Sequence, residues 1–132
     1  MRLLLSSLAC AVLLSACGGP SLTPEQKATR AANIARNDEA LKTAQNVVVD
    51  GKTFRVATIS EKAYALVELQ STSTKYTVAD VERAGARVTG CKATFSPGIL
   101  AFLSGDINTV DLNDLRSKIS GRFSGWQVDL AC

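Results

Sequence analysis

The sequence predicts a small α+β domain, with a mainly antiparallel sheet, helices on one face, and a helical tether at its N-terminal side. Three observations carry this. Two runs of β-formers, Asn46 to Val49 and Lys52 to Ala57, flank Asp50-Gly51, the pattern of a two-residue hairpin. Val78, Val81, Ala84 and Val88 recur at helical spacing between Thr77, a capping residue, and Gly90, a helix stop. Trp126, Val128 and Leu130 alternate with polar neighbours, as a half-buried strand does.

Taken in order, the first predicted element is a helix from Pro24 to about Gln45. Thr23 can cap it, Pro24 suits its first position, and Gln26 can complete a capping box. Its apolar residues are mostly alanine, and only Ile34 and Leu41 have bulk. Such a helix is either a solvated stalk or one that packs weakly on the domain, and two large apolar residues make a poor coiled coil. In the hairpin, the turn sets Val49 opposite Lys52 and Val47 opposite Phe54. Val47, Val49, Phe54 and Val56 then share one face, predicted buried. After a turn at Ser60-Glu61 a third strand runs from Ala63 to Leu69. Tyr64 and Leu66 point one way, and Ala65, Val67 and Leu69 the other.

The second helix starts at Thr77, with Asp80 three residues on. Arg83 and Arg87 lie four apart on its outer side and read as a solvated face rather than an anion-binding pair. Cys91 to Phe95 reads as a strand. Ile99 to Leu103 is the most apolar run after the leader. It fits either a buried strand or a short helix, with the strand and a core position favoured over an exposed docking patch. Asp111 caps a third helix, with Leu112, Leu115 and Ile119 inward and Gly121 as its stop. Asp114 near its start and Arg116, Lys118 and Arg122 near its end complement the helix dipole.

The first residues carry a separate message. Met1-Arg2 is a basic head, Leu3 to Leu14 is apolar, and Leu14-Ser15-Ala16-Cys17 is followed at once by Gly18-Gly19-Pro20. The apolar stretch is shorter than the ~20 residues that span a bilayer, and has the proportions of a signal-peptide core. The pattern resembles the lipobox of bacterial lipoproteins. The resemblance implies that residues 1–16 are removed and that Cys17 is lipidated through its sulfur. It also implies an amide-linked acyl chain such as palmitate on the new amino terminus. One chain binds a membrane only marginally, whereas two or three form an effectively permanent anchor. Gly18 is compatible with export to the periplasmic side of an outer membrane; a single-membrane host would place the anchor in its one membrane. The organisation expected is a leader (1–16), a lipid-anchored exit and helical tether (17–45) and one domain (46–132).

Behind such a leader the remaining cysteines, Cys91 and Cys132, meet an oxidising compartment and are expected to pair. If the final strand runs antiparallel beside the strand that begins at Cys91, the two thiols fall opposite each other.

Composition narrows the function. The 132 residues hold 15 basic and 12 acidic side chains and no histidine. The balance is not that of a nucleic-acid-binding protein, and the commonest general base and metal ligand is missing. No glycine-rich phosphate loop, Gly-x-Ser-x-Gly elbow, Ser-x-x-Lys pair or calcium loop occurs. Asp106, Asp111 and Asp114 cluster, but each suits a turn or a cap. The expectation is therefore a non-catalytic envelope protein without cofactor or metal. It would be held to a membrane through Cys17 and bind or scaffold another envelope component, for instance by lending a sheet edge. An inhibitor or immunity-type protein and a small cell-wall-modifying hydrolase are the alternatives. No residue is assigned to a ligand.

Overall fold

The computed structural model describes residues 21–71, 73–102 and 105–132, with Ile99 described in its backbone alone. The leader, Cys17 and the Gly18-Gly19-Pro20 exit lie outside the described residues. The chain folds as α1 (Pro24–Lys42), β1 (Gln45–Val49), β2 (Lys52–Ile59), β3 (Tyr64–Leu69), α2 (Val78–Thr89), β4 (Lys92–Phe95), α3 (Leu112–Ser117) and β5 (Trp126–Ala131). The strands form one antiparallel sheet in the order β1-β2-β3-β5-β4, so the α+β class expected from the sequence is the one observed.

The hairpin has the predicted register, Val49 facing Lys52 and Val47 facing Phe54. Asp50 and Gly51 adopt φ of 49° and 76°, the left-handed pair that a type I′ turn requires. Phe54, Val56, Ala65, Val67, Leu69, Trp126, Val128, Ala93 and Phe95 all point to one sheet face and form the main core with α2 and α3. Helix α2 contributes Val78, Val81 and Ala84 to that core, and its capping box between Thr77 and Asp80 forms as expected. Gly85 lets it press close: a Cβ there would lie 2.9 Å from a methyl of Val128.

Of the two readings of α1, weak packing holds for its last turns, while its first turns stand exposed. Its capping box forms, with Gln26 N–H donating to Thr23 Oγ1 at 3.2 Å. No residue of it is fully buried. Ala40, Leu41 and the following Ala44 rest on Ala57, Ile59 and Leu66, which point to the sheet face opposite the main core. Tyr64 donates to Asn37 Oδ1 at 2.9 Å, and Arg122 pairs with Asp38. Arg122 is thus a strap to the tether helix and not a dipole partner of α3. The α1 helix stops at Lys42, before the expected Gln45, because Gln45 already pairs with Val56 in the sheet.

Two other expectations are corrected. The run expected to favour a strand, Ile99 to Leu103, is described as far as Phe102, and there Gly98–Phe102 is a 3₁₀ turn. Ser96 N–H makes a bond to Gln127 O at 2.9 Å, and Pro97 next to it has no N–H to extend the ladder. Gly98 then turns the chain at φ 56°, and Leu100 N–H closes on Pro97 O at 3.1 Å. Nor is this run all core: Leu100 packs on the core, but Phe102 is 89% exposed. Helix α3 ends at Ser117, short of Gly121. Its last turn tightens into i to i+3 bonds, Lys118 N–H to Leu115 O and Ile119 N–H to Arg116 O, each 3.1 Å.

Strands β4 and β5 pair antiparallel, with Lys92 facing Ala131. Cys91 and Cys132 therefore stand opposite each other and are joined as a disulfide, with Cα atoms 4.5 Å apart. That is the spacing of a non-hydrogen-bonded antiparallel pair, where side chains come closest.

Candidate functional site

Of the residues singled out from the sequence, Cys91 and Cys132 form a structural cross-link and Cys17 lies outside the described residues. The surface that the fold does build lies where the 3₁₀ turn meets α3. An open groove of about 720 Å³ is lined there by Leu100, Val110, Leu115 and Ile119, with Asp111, Asp114, Lys118 and Ser120 around them. Its volume falls within the ~300–1,000 Å³ typical of sites that take a small molecule or an anchoring side chain. Phe102 belongs to the same 3₁₀ turn as Leu100.

Helix α3 has only six residues and is too short to hold itself. It is fixed from below by buried Leu112 and Leu115. Asp111 caps it through Asn113 N–H at 3.0 Å and also accepts from Tyr76 N–H at 3.4 Å. Leu112 N–H donates to Tyr76 O at 2.8 Å. Tyr76 is the post beneath the groove wall. Its ring is 2% exposed and meets Phe54 edge-on, and its hydroxyl accepts from Trp126 Nε1 at 2.7 Å. Burial raises the Tyr76 hydroxyl above its ordinary value of 10.0, and the bond from Trp126 opposes this in part. The fold therefore favours the neutral phenol, and the stability tied to it is intact below pH 10.0 and declines above.

The carboxylates around the groove have structural partners. Asp114 pairs with Lys118 at 3.0 Å, and Asp106 accepts from Asn108 N–H at 3.1 Å in an Asx turn. Glu68 pairs with Arg116 at 2.9 Å, and Arg116 in turn lies 4.6 Å over the Phe123 ring. Asp106 and Asp111 thus have the turn and cap roles read from the sequence, whereas Asp114 is held by an ion pair along α3. Among the described residues no group of three His, Cys, Asp or Glu side chains could hold a metal ion, and no helix is long and apolar enough to cross a membrane.

The two arginines read as a solvated face are exposed yet engaged. Arg83 bridges Asp50 at 2.7 Å and Asp80 at 3.1 Å, and Arg87 donates to the carbonyl of Val48. Glu82 on the same helix accepts from Phe95 N–H at 3.1 Å. These contacts reach both edge strands of the sheet, each taking up one outward backbone group.

The groove itself was not legible in the sequence. Leu100 sits in a run that reads as core, and Val110 and Ile119 flank α3, whose end spacing alone does not show. The signal that could have found it is Pro97-Gly98 directly ahead of the run, since proline cannot donate to a ladder and glycine marks a turn. Comparison with protein-family models, with curated proteins and with solved structures returns no match.

Proposed function

We propose that this chain is a lipid-anchored envelope protein, held on the periplasmic side of an outer membrane through Cys17, that acts by binding another envelope component rather than by catalysis. The anchoring half rests on Leu14-Ser15-Ala16-Cys17 behind a basic, apolar leader. A disulfide between Cys91 and Cys132 accords with an oxidising compartment. The first turns of helix α1, ahead of the part docked on the sheet, suit a short spacer of roughly 20 Å at 1.5 Å per residue.

The single observation that carries the binding half is the groove at α3, with Phe102 exposed on the 3₁₀ turn that supplies Leu100 to its lining. The groove sets four apolar side chains among four polar ones, and Phe102 is an aromatic of the kind that anchors interaction sites. Around the groove stand two carboxylates, Asp111 and Asp114, and one ammonium, Lys118. That negative balance favours an apolar protein segment flanked by lysine or arginine. The occupant is therefore a segment of that kind on an envelope protein.

A photo-crosslinking residue in place of Phe102, in cells making the full-length chain, should join it to such a segment of one envelope protein. Ile119→Asp in the same chain should abolish the product. The same crosslinker at Thr94, on the opposite sheet face, should give no such product. Equal capture from both positions, or capture indifferent to Ile119→Asp, would refute the binding assignment. A captured enzyme held in near-equal amounts and losing its activity would turn the reading to an inhibitor.

A further inference from the structure

Strand β1 is an edge strand of the sheet, and its sequence, Gln45-Asn46-Val47-Val48-Val49, contains no charge and no proline. Edge strands of natural sheets are commonly blunted by such residues, since an unpaired row of N–H and C=O groups is a template for another strand. The two-residue turn makes Val49 and Lys52 a hydrogen-bonded pair, so alternation along β1 turns the N–H and C=O of Val48 and Asn46 outward. Thr53, opposite Val48, confirms the phase: its carbonyl points away from β1 and accepts from Gln70 N–H at 3.0 Å. One of those outward groups, the Val48 carbonyl, is occupied by the guanidinium of Arg87, from α2. At the other edge, β4 has its own Lys92, and the N–H of Phe95 is taken by Glu82 of the same helix at 3.1 Å.

We infer that Arg87 is an edge guard, which supplies β1 with the charge its sequence lacks and keeps it from pairing antiparallel with β1 of a second copy of the chain. Two such strands would match valine to valine with no charge between them, which makes a second copy the fitting occupant. Crowding at a membrane surface makes the guard useful, but the inference stands on the edge geometry and does not depend on the binding reading above.

The test uses the full-length protein in detergent micelles. Arg87→Met removes the charge and the donor while keeping the aliphatic stem, at a position that is exposed. In sedimentation the variant should self-associate at about ten-fold lower protein concentration than the parent, the scale of one exposed polar guard. The amides of Asn46 and Val48 should then exchange more slowly as concentration rises. Adding Val48→Lys, which places a charge on the edge itself, should restore the parent's behaviour. A folded Arg87→Met variant as monomeric as the parent would overturn the inference, and so would association that leaves those two amides unprotected or persists with Val48→Lys. A variant without its native circular dichroism would assign Arg87 to stability instead and overturn it as well.

Discussion

Replacing Cys91 and Cys132 together by serine is expected to lower the unfolding free energy by about 4 kcal/mol, the chain-entropy value for a loop of this length. For a domain of this size that corresponds to a drop in Tm on the order of 20 °C. The reason lies in where the bridge sits. Strand β4 has four residues and pairs within the sheet with β5 alone. The chain between the two cysteines carries the 3₁₀ turn and α3, so the bridge closes the loop that holds the groove. Urea unfolding followed by far-ultraviolet circular dichroism measures the loss, and hydrogen exchange should show β4 freed first. A change below about 1 kcal/mol would mean that the unfolded chain is constrained by something other than this bridge.

Trp126→Ala should cost about 3–5 kcal/mol, the range for removing a large buried aromatic side chain. Trp126 is where three parts of the fold meet. Its ring lies 5.8 Å from Phe95 on β4 and 4.9 Å from Phe123 before β5, and its Nε1 donates to Tyr76. Truncation leaves a void under α2 and a buried Tyr76 hydroxyl without its donor, so a transfer loss and a desolvation loss add. Trp126→Phe separates them, since it refills most of the space but cannot donate; it should cost about 1–3 kcal/mol. Equal costs for the two variants in urea unfolding would show that the hydrogen bond, and not the packing, carries the effect.

The fold also shows what the sequence discloses and what it hides. Local chemistry was readable. Asp50-Gly51 sets the hairpin register because few residues tolerate two successive positive φ angles, and Thr77 with Asp80 sets the start of α2 because the box satisfies otherwise unpaired N–H groups. The opposition of Cys91 and Cys132 followed from one assumption about which strands are neighbours. The insertion of β5 between β3 and β4 did not follow, because alternation states which face a strand buries and not which strand it lies beside.

The misreading at Ile99 to Leu103 has the same origin. Five apolar residues suit a strand or a turn of helix, and the outcome was decided by Pro97, which cannot extend the ladder, and Gly98, which turns the chain away. The groove depends on how the 3₁₀ turn folds back against α3, and the edge contacts of Arg87 and Glu82 depend on where α2 lies across the sheet. Hydrophobic spacing along the chain encodes neither. The proposed anchor is the reverse case, read wholly from the local run that ends at Cys17.

The most direct measurement of the account is the intact mass of the mature protein extracted from membranes. The expected species begins at Cys17 and carries a diacylglycerol on its sulfur with a further acyl chain on its amino group; Cys17→Ser should lose both the modification and the membrane attachment. An unmodified amino terminus upstream of Cys17, on a chain still bound to the membrane, would contradict it.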